Sequence, residues 1–477
     1  MNHLLRSGFF VLALGAAAGA WGQKADYKFD FGPGAVENGY TQVSADTKYT
    51  DQRGFGFEDR PDMTITGGSG GGGNAMQADF LLSEQPLSFS VKEPDGNCRV
   101  TVTLGDPKAE TVATIKAETR RLMIEEVRVP AGKTQTVSFI VNVRGPQIGN
   151  TGEKVMLDPR EWATYWTWDD KLTITFLGSH AAVCGVEIAK VNDATTIFLM
   201  SDSTVTDQMS GAFGTWGMNL PRWFNDKVAI ANYAESGETI KAFRHEKRWD
   251  KIMSLVKPGD YIFMQFGHND LNKSGTNAMW PPTEFSGNWT NTYSAPETDY
   301  RQGLKQYCLE AKAKGAIPVV VTPMTNVTTT GGRGAPGTGV PNSRLLEYAK
   351  NAILAAQDAG AAYIDLYTMS TEMHTALGPA KSRLAVNDGN HSNTYGGYLL
   401  SRCVVEGIKK NLPELARNLR ADVGTFDPKN PQPQPEDFKI PNDPGQPGIP
   451  RFQTFGGRGA RGPASGPATM PEMNRGN

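Results

Sequence analysis

The hydrophobic positions in the first part of the chain fall into short runs that are typical of β-strands. Seven runs between residues 24 and 190 are rich in Val, Thr, Ile and Phe, and turns containing Gly, Pro and Asp separate them. The runs are DYKFDFG, LSFSVKE, CRVTVTLGD, ETVATIKAE, MIEEVRVPAG, QTVSFIVNV and KLTITFLG. Because no helical periodicity lies between them, they predict an all-β domain with a sandwich or jelly-roll fold. The pair Asp95-Gly96, between two of these runs, predicts a hairpin turn.

Between residues 195 and 420, strand-like runs alternate with helical patterns. Five runs predict strands: TIFLM, VAIANYA, DYIFMQFG, IPVVVTPM and AYIDLYTM. Three longer segments predict helices: RQGLKQYCLEAKAKG, SRLLEYAKNAILAAQDAG and YGGYLLSRCVVEGIKKN. This alternation predicts an α/β domain, built on a doubly wound parallel sheet with right-handed crossovers.

The two ends of the chain differ from both predicted domains. Residues 1–23 contain Arg6, the apolar segment GFFVLALGAAAGA and small residues, which is the pattern of a secretory signal peptide. An N-terminal membrane anchor is the alternative, although the apolar segment is short for a membrane span. From the signal-peptide pattern we expect cleavage between Ala20 and Gln23 and an extracytoplasmic protein, and the sequence has no second apolar run long enough to cross a bilayer. Residues 426–477 are rich in Pro, Gly, Gln and Arg, and we expect this tail to be disordered.

Charge and cysteine content narrow the classes of protein to consider. The 48 basic and 50 acidic side chains nearly balance, which argues against nucleic acid as a partner. The four cysteines do not have the spacing of a metal site. Cys98 and Cys184 lie in the same predicted domain and are candidates for a disulfide outside the cytoplasm, whereas Cys308 and Cys403 lie in predicted helices and are expected to be free thiols in the core.

Polar motifs follow three of the strands predicted in the second domain. They occupy residues 201–204 (SDST), 236–239 (SGET) and 267–270 (GHND), and all three are expected at the carboxyl edge of the sheet, where ligands bind. Ser203 lies in the first motif, which we expect to form a tight turn that caps a following helix. The N–H groups at the start of that helix would stabilise a developing oxyanion, which makes Ser203 a candidate nucleophile.

A base for this serine is found near residue 390. The sequence has six histidines, and only His391 has a carboxylate placed to orient it, because Asp388 lies three residues earlier. A carboxylate on one ring nitrogen fixes the tautomer and leaves the other nitrogen free to accept the serine proton. The alternative is structural, with Asp388 as a helix N-cap and His391 on the surface.

A fourth motif, residues 388–391 (DGNH), contains Asp388 and His391. Taken in order, the four motifs resemble the four blocks of the SGNH, or GDSL-type, hydrolases, whose domain has a flavodoxin-like fold. The resemblance implies that Ser203 is the nucleophile and that Asp388 and His391 are the acid and base. It also implies an oxyanion hole that contains the backbone N–H of Ser203, the N–H of Gly237 and the side-chain amide of Asn269. Neither a cofactor nor a metal is implied.

Details of the motifs are similar to the rhamnogalacturonan acetylesterase subgroup. These details are the DST form of the first motif, the spacing of Asn232, Ala234 and Gly237, and a leading β-domain that begins YKFDFGPG. The resemblance implies a secreted serine esterase that removes O-acetyl groups from acetylated pectin, with rhamnogalacturonan as the substrate. Two residues depart from the family pattern. Ser201 stands where Gly is usual, and Glu238 stands where a basic residue is usual.

Aromatic residues supply candidate substrate contacts. Trp280 and Trp289 lie in a loop after the third motif and are placed to stack on a sugar chain, and His268 is a third candidate contact. The alternative is a loop that packs on its own aromatic residues. A second set lies in the β-domain, which is carbohydrate-binding-like: Trp162, Tyr165, Trp166 and Trp168. Between a sugar platform and a place in the core, we favour the core for this set.

Three other functions are compatible with parts of the sequence. An SGNH esterase or lipase acting on other acyl esters would use the same motifs, but no long apolar segment for an acyl chain lies near them. A metallophosphoesterase would use the polar residues of the third and fourth motifs as ligands, but paired Asp-x-His and His-x-His elements are missing. A non-catalytic carbohydrate-binding protein would not need the set of Ser203, Asp388 and His391.

Overall fold

The structure is a computed structural model that describes residues 26–60, 63–157, 161, 166–273, 293–331, 335–441 and 443. The predicted signal peptide, residues 1–23, lies outside the described residues. So do four of the candidate aromatic contacts, which are Trp162, Tyr165, Trp280 and Trp289.

The first domain consists of two packed β-sheets. Its strands are β1 (Tyr27–Phe31), β2 (Thr41–Val43), β3 (Phe55–Phe57), β4 (Ile65–Ser69), β5 (Asp79–Ser83), β6 (Leu87–Lys92), β7 (Gly96–Leu104), β8 (Thr111–Ala117), β9 (Arg121–Val129), β10 (Gln135–Val143), β11 (Lys171–His180) and β12 (Val183–Val191). One sheet has the order β10-β7-β12-β1-β2, with β5 beside β12 and β4 beside β5, and the other has the order β3-β6-β11-β8-β9. Phe29, Phe31 and Phe89 contact one another between the sheets, at the centre of a continuous core.

All seven predicted strands of this domain are present, and the sandwich class is confirmed. The hairpin predicted at Asp95-Gly96 is wrong, because β6 and β7 lie in different sheets. Gly96 has a φ of +140° and begins β7, so the dipeptide makes a crossing between sheets. An Asp-Gly pair shows only that the backbone can turn at that point. The sheet with which each flanking strand pairs depends on which of its faces is buried.

The second domain is a five-stranded parallel sheet with helices on both faces. Its strands are β13 (Thr195–Met200), β14 (Val228–Asn232), β15 (Tyr261–Met264), β16 (Ile317–Val321) and β19 (Ala362–Ile364), and a separate hairpin is formed by β17 (Asn326–Thr329) and β18 (Gly337–Asn342). The sheet order is β14-β13-β15-β16-β19, and every pair is parallel. This order confirms the predicted doubly wound, flavodoxin-like α/β fold.

The helices bury apolar faces against both sides of this sheet. They are α1 (Trp216–Asn219), α2 (Ile240–His245), α3 (Arg248–Leu255), α4 (Arg301–Ala313), α5 (Leu346–Asp358), α6 (Leu366–Arg383), α7 (Thr394–Asn411) and α8 (Pro413–Ala416), with a π-helical turn at Pro296–Tyr300 and 3₁₀ turns at Ala75–Gln77, Leu220–Trp223 and Pro435–Asp437. The three predicted helices are α4, α5 and α7. None of the helices in the described part of the chain is long and apolar enough to cross a membrane.

The chain after residue 420 differs from its prediction. Phe426 is buried, and Phe438 and Ile440 pack against the core that α7 helps to form. The Phe438 ring lies 5.3 Å from the Tyr395 ring and 5.4 Å from the Tyr398 ring, measured between centroids. The prediction that disorder begins at Phe426 is therefore wrong for residues 426–441 and 443. Three apolar side chains of this segment, Phe426, Phe438 and Ile440, pack against the protein and hold the segment in place despite its Pro-rich composition.

The four cysteines are free and buried. Cys98 pairs across β7 and β12 with Lys190, whereas Cys184 lies at the other end of β12, so the candidate disulfide between Cys98 and Cys184 does not form. Cys308 and Cys403 fill core positions in α4 and α7, as predicted.

Candidate active site

Ser203, His391 and Asp388 form a continuous hydrogen-bonded series. Ser203 Oγ lies 2.9 Å from Nε2 of His391, and the other ring nitrogen, Nδ1, lies 2.9 Å from Oδ2 and 3.1 Å from Oδ1 of Asp388. The His391 side chain is 28% exposed, so the series lies near the surface and is accessible to solvent. A carboxylate on Nδ1 and a hydroxyl on Nε2 are the arrangement in which histidine withdraws a proton from serine.

The segment that carries the acid and base is fixed by its own backbone. Asp388 Oδ1 accepts hydrogen bonds from the N–H groups of Asn390 at 2.7 Å and His391 at 2.8 Å. The N–H of Asn387 donates to the carbonyl of His391 at 2.9 Å, which closes the loop. Burial alone would raise the pKa of Asp388, but the contact with His391 and the two backbone N–H groups lower it below the ordinary value. Asp388 therefore remains a carboxylate, as a group that orients His391 must.

The nucleophile lies in a single turn that follows β13. The carbonyl of Asp202 accepts the N–H groups of Val205 and Thr206, and its Oδ1 accepts the N–H of Thr204 at 2.9 Å. No α-helix begins here, because the next helix of the described chain is α1 at Trp216. The expectation that Ser203 lies beside a helix N-terminus is therefore wrong, and the Asp202 side chain takes the place of a helix in holding the turn.

The two other predicted oxyanion residues lie at the ends of neighbouring strands. Gly237 follows β14 with a φ of +91°, a conformation that favours glycine, and Asn269 follows β15. Asn269 Nδ2 donates to the carbonyl of Glu238 at 3.0 Å, so the two loops contact each other. Strands β14, β13 and β15 are adjacent, which brings the loops of Gly237, Ser203 and Asn269 to one edge of the sheet.

His268, a predicted substrate contact, is buried in the structure, and its role stays a prediction. Its side chain is 2% exposed, and Nδ1 lies 3.6 Å from Oδ2 of Asp202. The ring is therefore buried beside Asp202. The pKa of Asp202 is lowered: burial raises it, but the interaction with His268 and the hydrogen bonds from Thr204 have the greater combined effect.

The two departures from the family pattern are accommodated inside the protein. Ser201 is fully buried and has no positive φ, so the turn does not need glycine there. Glu238 is also buried, and its carboxylate lies 3.6 Å from Nε of Arg248. The side chain of Glu238 therefore belongs to an internal ion cluster and does not line the cleft.

The aromatic set of the first domain is described only in part. Trp168 is 6% exposed and its ring lies edge-on to Tyr233 of the second domain, 5.6 Å between centroids. Its indole N–H donates to the Glu161 carboxylate at 2.9 Å. Trp168 therefore packs in the core, the alternative that the sequence favoured.

Comparisons with known proteins agree with this geometry. Residues 202–397 match the family described as GDSL-like Lipase/Acylhydrolase, and residues 27–143 match a Beta-agarase/YXIM esterase-like, galactose-binding domain-like family. The chain is 25% identical over 397 residues to the uncharacterized esterase YxiM of Bacillus subtilis (strain 168), which covers 80% of this chain and 91% of that protein. It is 30% identical over 224 residues to the probable rhamnogalacturonan acetylesterase YesY of the same organism, which covers 46% of this chain and 94% of that protein. The chain belongs to the GDSL-like lipase/acylhydrolase family.

A third relative of this GDSL-like hydrolase is the rhamnogalacturonan acetylesterase RhgT of Bacillus subtilis (strain 168). The two are 26% identical over 231 residues, which is 45% of this chain and 89% of that protein. With this family membership and acetylesterases among its relatives, the chain is a carboxylic ester hydrolase. Its first domain is the galactose-binding-like β-domain that precedes the hydrolase fold.

Two carboxylates that support the site of this GDSL-like hydrolase were not singled out from the sequence. Asp202 holds the nucleophile turn, as described above. Asp270, fully buried, accepts the N–H of Ile240 through Oδ1 and the N–H of Gly267 through Oδ2, each at 3.0 Å, and so joins the loops after β14 and β15. Burial raises its pKa to about 7. Asp202 precedes Ser203 and Asp270 follows Asn269 in the sequence, and this position was the only sequence signal for their supporting role.

Proposed function

We propose that this chain is an extracytoplasmic acetylesterase that removes O-acetyl groups from pectic polysaccharide, with rhamnogalacturonan as its substrate, through an acyl-enzyme on Ser203. The observation that carries the proposal is the hydrogen-bonded series from Ser203 through His391 to Asp388. That series needs no cofactor to activate the hydroxyl.

In the first half of the reaction, Ser203 Oγ attacks the acetyl carbonyl carbon while Nε2 of His391 accepts the hydroxyl proton. The carbonyl π-electrons move to oxygen, and the N–H groups of Ser203 and Gly237 and the amide of Asn269 stabilise the resulting charge. One N–H of that amide is bound to the Glu238 carbonyl, and an amide has a second N–H for this purpose. Collapse of the intermediate breaks the bond to the sugar oxygen, which takes the proton from His391.

In the second half, a water molecule takes the place of the sugar. His391 accepts a proton from the water, whose oxygen attacks the acetyl carbon of acetyl-Ser203. When this intermediate collapses, the bond to Oγ breaks and Oγ regains the proton from His391. Acetate leaves, and the enzyme returns to its starting state. Asp388 stabilises the imidazolium that forms in each half.

Two observations support this choice of substrate: the relatives of the hydrolase domain and the N-terminal sequence. Two relatives that match the hydrolase domain are a rhamnogalacturonan acetylesterase and a probable one. The N-terminal sequence favours export from the cytoplasm, and export would bring the enzyme to polysaccharides outside the cell. Remote contacts with a polymer orient the ester, so such an enzyme gains rate from a longer chain.

A second candidate is an esterase for another acyl ester. The observation that favours it is coverage: the uncharacterized esterase YxiM matches both domains, whereas YesY and RhgT match less than half of this chain. The β-domain therefore has no counterpart in the matched part of the acetylesterases, and it is the part of the chain most able to change the substrate.

The experiment is a comparison of kcat/KM for the protein lacking residues 1–23. Substrates are acetylated rhamnogalacturonan, acetylated xylan, p-nitrophenyl acetate and a p-nitrophenyl ester with a long acyl chain, and released acid is measured in each case. The proposal expects the highest value on rhamnogalacturonan. A preference for xylan or for the long acyl chain overturns the substrate and leaves the serine mechanism in place.

Export is tested separately by peptide mapping of the protein expressed with residues 1–23. The proposal expects protein outside the cytoplasm whose first peptide begins close to residue 24. Uncleaved protein held in the membrane fraction supports the N-terminal anchor instead.

A further inference from the structure

The turn between β8 and β9 is an unusual feature of the β-domain. Glu118, Thr119 and Arg120 form it, and all three are buried. Glu118 has a φ of +53° and Arg120 a φ of +64°, although neither is glycine. Left-handed backbone at such residues costs free energy and persists where surrounding contacts require it. Thr173 donates its N–H to Glu118 Oε1 at 3.1 Å, which is one of those contacts.

The Arg120 side chain crosses from this turn into the hydrolase domain. Its Nη1 donates to three backbone carbonyls, those of Gln208 at 2.9 Å, Ser210 at 2.7 Å and Phe213 at 2.9 Å. We call residues 208–213 the bridging loop. Three carbonyls that converge on one guanidinium nitrogen fix the path of this loop, because a charged donor forms stronger hydrogen bonds than a neutral one.

The bridging loop contacts both the nucleophile and the base. Gln208 Nε2 donates to the carbonyl of Ser203 at 2.8 Å. The Phe213 ring lies edge-on to the His391 ring, with centroids 5.7 Å apart and an angle of 78° between the planes. The bridging loop also accepts a hydrogen bond at Ala212, whose carbonyl lies 2.5 Å from Nδ2 of Asn387. Asn387 directly precedes Asp388 in the chain.

We propose that Arg120 is a positioning residue, through which the β-domain holds the bridging loop so that Ser203 and His391 stay aligned. The β-domain is thus a structural part of the active site. A second contact supports this arrangement: Nε of Arg120 lies 4.0 Å from Oδ2 of Asp443, and both side chains are almost fully buried. The inference rests on the proposed roles of Ser203 and His391 but not on the polysaccharide.

The test is the hydrolysis of p-nitrophenyl acetate by Arg120→Ala, Arg120→Lys, Phe213→Ala and the double variant of Arg120→Ala with Phe213→Ala. A displacement of about 1 Å in a catalytic group lowers turnover by as much as roughly 100-fold, so Arg120→Ala should lower kcat by roughly 10–100-fold with little change in KM. Arg120→Lys should recover part of the loss, since an ammonium also donates three hydrogen bonds. The double variant should be no slower than the slower single variant, because both changes act through one loop.

The matched control is Arg99→Ala. Arg99 also extends from the β-domain to the hydrolase domain, where its Nη2 donates to the Asp226 carbonyl at 3.3 Å and its Nε lies 3.4 Å from Oδ2 of the same residue. Asp226 precedes β14 and is outside the bridging loop, so Arg99→Ala should retain wild-type kcat. Thermal unfolding of each variant confirms that it is folded at the assay temperature.

Two results would overturn the inference: wild-type kcat in folded Arg120→Ala, or losses from Arg120 and Phe213 that multiply in the double variant. If Arg120→Ala does not fold, Arg120→Lys and Phe213→Ala provide the same cycle. Ser203→Ala separates the two proposals. If it keeps full activity, the serine mechanism fails, whatever Arg120→Ala shows.

Discussion

Asp202 Oδ2 lies 3.6 Å from Nδ1 of His268, and each of these residues directly precedes a predicted catalytic group, Ser203 in one case and Asn269 in the other. Both side chains are buried. The pair therefore joins the nucleophile turn after β13 to the predicted oxyanion loop after β15 inside the protein.

This relationship predicts how His268 variants behave on different substrates. His268→Leu leaves the Asp202 carboxylate buried without its partner and lets both loops shift, so kcat should fall roughly 10–100-fold. The factor should be the same on acetylated polysaccharide and on p-nitrophenyl acetate, since both reactions use the same loops. His268→Gln, which keeps a donor, is the matched control and should lose less. A larger fall in kcat on the polysaccharide than on p-nitrophenyl acetate would indicate that His268 contacts the substrate.

The serine mechanism predicts the largest effects in the molecule. Ser203→Ala and His391→Ala should each lower kcat by several orders of magnitude, leaving the residual rate that the oxyanion hole and binding supply. Asp388→Asn should lower kcat by roughly 10⁴-fold, because an amide favours the wrong tautomer of His391. Circular dichroism establishes that each variant is folded. Near-normal acetate release by any folded variant of Ser203 or His391 would exclude the assignment.

Asn269→Ala tests the oxyanion hole. Its amide acts on charge that develops in the transition state, so kcat should fall by roughly 10²–10³-fold while KM changes less. The variant also loses the hydrogen bond to the Glu238 carbonyl, so its thermal stability must be measured beside its rate. If the loss is confined to KM, Asn269 binds the ground state and is not part of an oxyanion hole.

His374 predicts a loss of stability at mildly acidic pH. It is buried in α6, its Nδ1 lies 2.6 Å from Oγ of Ser382, and burial lowers its pKa from 6.5 to about 4. Between these pH values the unfolded chain binds a proton that the folded chain does not. The free energy of unfolding should therefore fall as pH decreases from 6.5 towards 4, by at most about 1.4 kcal/mol per pH unit from this residue.

The measurement is urea unfolding, followed by tryptophan fluorescence, at a series of pH values across this window. His374→Gln keeps a polar group beside Ser382 and does not titrate, so its stability should vary less with pH than that of the wild type. Equal pH dependence in the two proteins would show that other groups cause the acid sensitivity.

Trp280 and Trp289 lie outside the described residues, and their role stays a prediction. Trp280→Ala or Trp289→Ala should lower kcat/KM on acetylated rhamnogalacturonan more than on p-nitrophenyl acetate, because stacking on remote sugar rings helps only the polymer. Trp168→Phe is a useful comparison, since Trp168 is in the core. Equal losses on both substrates would indicate that the loop only supports the fold.

The sequence was most informative where one physical requirement decides the outcome. Hydrophobic periodicity alone was enough to predict the strands and helices of the second domain, and all five predicted strands and three predicted helices are present. Asp388 and His391 combine a short spacing with a chemistry that a serine nucleophile requires, and the structure places both in one hydrogen-bonded series with Ser203. Local pattern was a weaker guide at Asp95-Gly96, where pairing with distant strands determines the path of the chain.

Other features depend on contacts between residues that are far apart in sequence. His268 resembled an exposed site residue because its motif follows a strand, and only packing shows that it faces Asp202. Arg120 gave no indication at all. It lies 88 residues before the first carbonyl that it binds, and no short motif records such a distance.

The contacts that residues 426–441 and 443 make with the two domains bear on the order in which the protein matures during synthesis. The β-domain leaves the ribosome first and the hydrolase sheet follows, so the rings of Tyr395 and Tyr398 gain their contacts with Phe438 only after both domains have been synthesised. The same segment carries Asp443 to Arg120. The last ring contacts of the hydrolase core and the contact with Arg120 thus both depend on this late segment. A nascent chain that is still short of this segment is an immature enzyme, whose ester-cleaving site is not yet fully braced.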